Sequence, residues 1–549
     1  MPIHEPTHGH ILLISTLESL FSFYYIPEVF PVNSTATRIF LIFASINWGL
    51  WLTWKLIIYP FLFSPFRHLP KPKTWGYPLI GHGHVMFSRP PGEAYLKMMK
   101  EVSNDGMIHL RSFFHTDRLV LTEPATLAEV LVHKSYDFEK PSWARIFLRQ
   151  FLGDGLLMTE GDEHKHQRKH IMPSFSFRHI KELYPVFWKK SLELCRTVAT
   201  ELKDNSNDAG SDVLEMNHFS TEVTMDIIGL AGLGRDIQAL KNSDDELVKN
   251  YEEILEPTTE KAVYFVLHTI FPQWFIQILP WSINQRVKVT TRNLKNICTQ
   301  FVREKKERMK TEDDKHIDIL SILIRSNDFS DEGLVDQLLT FLAAGHETTS
   351  SAFTWATHLL AVHPEIQTRL RTEIHNNIPT QSALDDSPDI SSLLESLPYL
   401  NAVCNETLRL FPTIPVTSRV SCRDTFIRDQ YVPKGTVSFI VPWAVNRNPK
   451  LWGADAEEFN PSRWIDPDTG RANNVGSAKS NYSFLSFLHG PRSCIGERFA
   501  RGELRALVAA FVGSFEMAMA DPEEQVIPAG TITSKPKNGM NLRLRPVEW

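Results

Sequence analysis

Cys494 lies in the run Phe487-Leu488-His489-Gly490-Pro491-Arg492-Ser493-Cys494-Ile495-Gly496. A thiolate there would be a metal ligand or a nucleophile. Gly490 and Gly496 flank it, four before and two after. Glycine permits a tight turn and close approach of backbone to a flat cofactor. From Cys494 to Phe515 the chain has helical periodicity and few breakers. The sulfur therefore sits just before a helix N-terminus, where the dipole and free N–H groups favour thiolate over thiol. Arg492 offers a cation suited to a carboxylate. Phe487 can shield the sulfur from water. The plainer alternative is a buried structural cysteine beside a glycine turn. Cys195, Cys298, Cys404 and Cys422 lack this context and read as core or surface thiols.

A second pattern is Glu406-Thr407-Leu408-Arg409. Residues three apart share a helix face, so this pair can bond. Glu193 and Arg196 have the same spacing, so the pattern alone is weak. His166 and His170 stand at i, i+4, but Lys165, Arg168 and Lys169 disfavour a cation between them.

These side chains need elements to place them. Helical patterns dominate the chain, with strand-like runs near Ile108–Leu110, Leu119–Thr122 and Ser438–Pro442. The most apolar internal helix is predicted over Asp331–Val362, roughly 48 Å long. Ser330 can cap it, Asp331 and Glu332 suit its positive end, and His363-Pro364 ends it. The charged run Arg303–Lys310 reads as a solvated helix face. Hydrophobic residues make up 42% of the chain, with 34 Phe, which suits a large core and an apolar cavity. Lys and Arg total 58 against 64 Asp and Glu, so no basic field supports nucleic-acid binding. Five cysteines without a CxxC pair argue against a secreted disulfide framework.

Residues Ile39–Phe63 are apolar with Lys55 the only charge, and as a helix span roughly 37 Å. They are expected to form one retained transmembrane anchor. Arg67, His68, Lys71 and Lys73 follow and favour a cytosolic body. Residues 64–80, with Pro65, Pro70, Pro72 and Pro78, read as a stiff spacer. Residues 1–38 are expected to be lumenal or interfacial. Within them Ile11–Phe30 is apolar but carries Glu18, Glu28 and Pro27, and reads as interfacial or as a weak second span. Asn33-Ser34-Thr35 is a glycosylation sequon. Residues 81–549 form the catalytic domain, without repeat or low-complexity tract.

The Cys494 run resembles the haem-binding loop of the cytochromes P-450, F-x-x-G-x-R-x-C-x-G, and matches at every specified position. The resemblance extends over nearly all of Pro70–Arg545. It implies a mainly α fold with a small β region, and heme b with Cys494 as axial thiolate. Glu406 and Arg409 then look like the family's E-x-x-R, standing between the long helix and the cysteine loop. Phe459-Asn460-Pro461-Ser462-Arg463 resembles the segment whose arginine completes a buried triad. Ser462 and Trp464 depart from the commoner Glu and Phe.

Ala344-Gly345-His346-Glu347-Thr348-Thr349 resembles the oxygen-activation segment A/G-G-x-D/E-T. Small Ala344 and Gly345 would leave room for dioxygen, Glu347 would pass protons inward, and Thr348 would hydrogen-bond activated oxygen or water. Gly161–Lys169 resembles the helix that grips haem propionates, through Arg168 and, where Trp is often found, His164. Ile414, Val416 and Ile532 are expected to face substrate, and Phe138–Phe151 to form a loop roofing the cavity.

The implied reaction inserts one oxygen atom from dioxygen into a small apolar organic substrate. Electrons would come from a separate NADPH-cytochrome reductase, since only 55 residues follow Cys494 and hold no flavin or nicotinamide segment. The implied setting is the endoplasmic reticulum membrane, single-pass, with the domain on the cytosolic face. The style of the N-terminus and of Gly161–Phe175 is similar to fungal enzymes of secondary metabolism. Two other readings are a haem-thiolate isomerase, dehydratase or peroxygenase that needs no reductase, and a silent haem or lipid binder.

Overall fold

The Ser330 hydroxyl accepts from the Gly333 N–H, and Asp331 and Glu332 occupy the first turn. A helix therefore starts at Asp331, as its sequence predicts, and runs unbroken to Val362. Most of its side chains are buried, so its stability comes from the helices packed around it. Helix Met216–Ile228 lies along it, and Thr224 Oγ1 donates to His346 O at 3.1 Å. Helix Glu497–Ser514 packs between it and helix Phe177–Asp204. Gly502 makes that packing close, because a Cβ there would meet the Tyr184 ring at 2.9 Å. The E-x-x-R helix spans Pro398–Leu410 and is buried along nearly its whole length.

This computed structural model describes residues 8–549 except 32–33, 74–75, 78, 205–211, 243–244, 256–257, 312–317, 379, 381–388 and 531. Asn33 of the sequon, Pro78 of the proline run and Thr531 lie outside the described residues.

A five-stranded sheet stands to one side of the helical body. Its order is Met107–Arg111, Asp117–Leu121, Val437–Ile440, Thr417–Ser421, Phe138–Glu139. Neighbours are antiparallel except Asp117–Leu121 with Val437–Ile440. All three predicted strand runs are present, but Pro442 opens a short helix where the third run was expected to continue. One large apolar core fills the helical body and a second lies under the sheet.

Three expectations are corrected by packing. The proline run is not a free spacer: Phe66 is buried in the core under the sheet, and Pro70 O accepts from His109 N–H at 2.8 Å. Lys305, in the run read as a solvated face, is buried against Asp318 at 2.7 Å. Its long stem lets a surface helix reach inward to a carboxylate that needs a partner. The expected roofing loop is largely helix, Ser142–Leu152.

At the N-terminus, helix Ala36–Thr53 continues through a π-helical turn, Trp54–Phe63, that contains Pro60. Together they are long and apolar enough to cross a membrane. Arg111 Nη2 donates to Pro60 O at 2.7 Å, which ties the end of this helix to the catalytic body. Helix His8–Tyr25 packs against it.

Candidate functional site

A cavity of about 580 Å³ separates the Cys494 loop from the middle of the long helix. Phe487, Cys494 and Gly496 line one wall, and Ala344, Gly345, Glu347 and Thr348 the other. The loop is held by its own backbone. Cys494 N–H donates to Phe487 O at 2.9 Å, and Ser493 N–H to Gly490 O at 3.0 Å. Gly490 has φ +78°, and a Cβ there would lie 2.2 Å from Leu131 O. Its role is the tight turn against Leu131. Gly496 is different: a Cβ there would meet nothing closer than Phe175 at 3.8 Å. Its N–H points at the sulfur, and helix Glu497–Ser514 begins with the next residue.

Cys494 opens onto the cavity. Burial pushes its thiol up to about 11, against the opposing pull of the Gly496 N–H and, more weakly, Arg168 and Arg501. A metal cation at the sulfur would favour the charged form. Burial lifts the Cys195, Cys298 and Cys404 thiols to about 12. They face packed core and have no such opening.

Cations collect at the cavity's edge. Arg168, Arg419, Arg492, Lys140 and His164 all line it. Arg168 donates to Ser493 O at 2.7 Å and to Ser493 Oγ at 3.2 Å, tying its helix to the cysteine loop. Arg492 contacts the Glu160 carboxylate, yet its Nε and Nη2 are buried without a hydrogen bond. Burial and the neighbouring guanidiniums hold the Lys140 ammonium well below the usual lysine range. Burial lowers Arg419 to about 10. His164 is pushed down to about 4 by burial, then Lys140 and Arg168, so its ring is neutral, with Tyr136 Oη 3.3 Å from Nδ1. Buried cations in excess, with donors left over, fit a ligand that carries carboxylates. A flat cofactor with acidic arms at this edge and a metal over Cys494 matches both walls.

Beneath the cysteine loop, Glu406 is fully buried and carries three side-chain partners. Arg409 meets it at 2.7 and 2.8 Å, and Arg463 at 2.9 Å. The third is Trp464, whose indole N–H donates to Oε2 at 2.8 Å. The departure noted at Trp464 thus adds a donor that phenylalanine lacks. The competing pair is resolved as well: Glu193 bonds Lys190 and Lys241 instead of Arg196.

On the distal wall, Glu347 is buried with both oxygens engaged. Thr533 Oγ1 donates to Oε1 at 2.8 Å, and Lys535 Nζ lies 2.9 Å from Oε2. Thr348 Oγ1 donates to Ala344 O at 2.7 Å and lines the cavity. The helix ladder is not opened here; the hydroxyl lies on the carbonyl four residues back. Ala344 and Gly345 both line the cavity beside Thr348. A Cβ on Gly345 would lie 2.8 Å from Ile228 Cδ1, so this glycine serves helix packing.

Ile414, Val416 and Ile532 stand in the cavity wall. Trp143, Phe147, Phe151, Phe265 and Phe341 make the remainder strongly apolar. Sequence reasoning missed Arg419 and Lys535, which nothing local marks. Lys140 lies in the segment expected to roof the cavity, and Thr533 in the 530–533 turn expected to reach the pocket, but neither was given a role. Among the described residues no group of three or more His, Cys, Asp or Glu is placed to hold a metal ion, the His166–His170 pair included.

Comparison with known proteins agrees with this geometry. The cytochrome P450 family model matches residues 70–542. Cytochrome P450 monooxygenase sphH of Aspergillus fumigatus is 40% identical over 502 residues, covering 90% of this chain and 91% of its own. Cytochrome P450 monooxygenase ptmK of Penicillium ochrochloron is 39% identical, covering 90% and 97%. Cytochrome P450 monooxygenase FUM15 of Gibberella moniliformis is 36% identical over 540 residues, covering 90% of each. With one sulfur facing a cationic cavity and relatives matched along the whole catalytic body, the chain belongs to the cytochrome P450 family, as a haem-thiolate monooxygenase.

Proposed function

We propose that this enzyme inserts one oxygen atom from dioxygen into an apolar organic substrate of a fungal secondary-metabolite pathway. It works on the cytosolic face of the endoplasmic reticulum, anchored by Ala36–Phe63, with electrons from a separate NADPH-cytochrome reductase. The observation that carries the reading is the placement of Glu347 and Thr348 on one wall of the cavity that Cys494 opens onto.

Haem bound by Cys494 and by Arg168, Arg492 and their neighbours supplies the oxidising chemistry. The chain's own residues do the rest. Thr348 Oγ1 can turn its proton from Ala344 O toward an oxygen or water beside it. Glu347 keeps a carboxylate one residue away, with Lys535 beside one oxygen and the Thr533 hydroxyl on the other. Both partners come from the turn that carries Ile532, so the substrate wall and the acid are mechanically joined. The aromatic wall excludes bulk water, which favours proton delivery along Thr348 over leakage. Ile414, Val416 and Ile532 orient the substrate.

The relatives carry the pathway reading: several fungal proteins named as monooxygenases match this chain over about nine-tenths of its length. The test compares metabolites of cells with and without this protein. A precursor lacking one oxygen should accumulate, and microsomes holding the enzyme should convert it only with NADPH. Conversion without NADPH would instead establish an isomerase, dehydratase or peroxide-using enzyme.

A further inference from the structure

We propose that helix His8–Tyr25 also crosses the bilayer, beside Ala36–Phe63, as a two-helix hairpin that brings the His8 end back to the side of the catalytic body. The inference rests on the reading that Ala36–Phe63 spans a membrane, and replaces the single pass with a double one.

Three observations carry it. The first is which face is turned out. Ile11, Ser15, Ser19 and Ser22 are buried, a stripe with helical spacing that faces the second helix. Leu12, Leu13, Ile14, Leu17, Leu20 and Phe21 are exposed. An apolar outside with small residues at the contact is the arrangement of helices packed in lipid. A helix lying in the interface would turn its polar face to water. Here that face is turned to the partner helix.

The second is how the polar groups are satisfied. Glu18 is the one acidic residue of this helix. Asn47 Nδ2, from the second helix, donates to Glu18 Oε2 at 2.6 Å and to Ser15 Oγ at 3.1 Å. Ser15 Oγ donates to Ile11 O at 2.7 Å, Thr16 Oγ1 to Leu12 O at 2.8 Å, and Thr53 Oγ1 to Gly49 O at 2.8 Å. Polar side chains at membrane depth are tolerated when they face a neighbouring helix and bond there. Each of these does so, or bonds within its own helix.

The third is the agreement of levels. The helices run antiparallel, with Phe30 on Phe43 at one end and His8 stacked on Trp48 at the other. Lys55 lies over Trp51 just beyond. His8, Trp48, Trp51 and Lys55 thus form a polar-aromatic band at the end where Pro60 is tied to Arg111. Tyr24, Tyr25, Glu28 and Arg38 mark the opposite end. The 18 residues of His8–Tyr25, end bands included, give a helix about 27 Å long, close to the hydrocarbon thickness of a reticulum membrane.

The test uses the full chain in sealed microsomes, with a short epitope ahead of Met1. The protein should stay in the pellet after alkaline carbonate. Added protease should remove the epitope without detergent. A Ser34→Cys variant should take an impermeant maleimide at that position only after detergent opens the vesicles. Release by carbonate overturns the span and the hairpin together. An epitope protected in sealed vesicles, with the protein still in the pellet, overturns the hairpin and leaves the single span standing. Labelling at position 34 in sealed vesicles shows that neither helix crosses and overturns the proposal.

Discussion

Trp464 presents its indole N–H to Glu406 Oε2 at 2.8 Å, deep in the protein and beside two arginines. Hydrogen bonds to a buried charged group are worth about 1.5–3 kcal/mol. Trp464→Phe keeps the ring's packing and removes the donor. We expect a loss of about 2 kcal/mol in chemical unfolding, with the carbon monoxide spectrum of the folded fraction unchanged. An unchanged unfolding midpoint would show that Arg409 and Arg463 already satisfy the carboxylate. Thr348 is the contrasting case. Its hydroxyl bonds only the carbonyl of its own helix. Thr348→Ala should leave stability and haem content within error but lower the product formed per NADPH consumed several-fold. Equal coupling in the two proteins would remove Thr348 from proton delivery.

At the scale of elements, the cysteine loop depends on one backbone conformation. Gly490 sits at positive φ against Leu131 O. Gly490→Ala must either shift the 129–133 turn or move the loop, so we expect lower haem retention at equal expression, read as haem absorbance per protein. Haem content equal to that of the unsubstituted chain would show that the loop adapts. The long helix carries a pH dependence of its own. Burial, aided by His363, pushes His358 down to about 4, from an unfolded value near 6.5. Above 6.5 neither state is protonated and the site is neutral to stability. As pH falls from 6.5 toward 4 the unfolded chain gains a proton that the folded ring refuses. Stability is lost over that window, by no more than about 3 kcal/mol. His358→Phe should flatten the fall in melting temperature between pH 6.5 and 5. A slope unaltered by the substitution would assign the acid limb to other groups.

The whole molecule joins an apolar N-terminal helix, long enough to cross a membrane, to a catalytic body. Arg111 on Pro60 O, with its guanidinium over the Phe61 ring at 4.0 Å, is the main tie. A chain beginning at Pro60 keeps both. We expect it to remain in the supernatant after high-speed centrifugation and to retain the thiolate-type carbon monoxide spectrum. Pelleting with membranes would reveal a second attachment surface on the body. Loss of the spectrum would show that the N-terminal helices support the fold.

The sequence by itself determined the ligand, the distal pair, the triad and the bounds of the long helix. Each is a local pattern: glycine spacing around Cys494, an acid beside Thr348, Glu406 three residues before Arg409, and a capping serine at 330. Short-range sterics and capping decide such features within a few residues, whereas separating Glu406 from Glu193 took the order of motifs that the family resemblance implies. Only the tertiary structure decided where remote side chains converge. Lys535 reaches Glu347 across 188 positions, and Arg419 and Lys140 join Arg168 at one edge. Ile228 lies where a side chain at position 345 would go, so the packing of two remote helices requires the glycine. Long-range packing sets burial, and burial sets the need of the cation cluster for an anionic ligand. Those depend on what surrounds a group in space, which no run of neighbouring residues specifies.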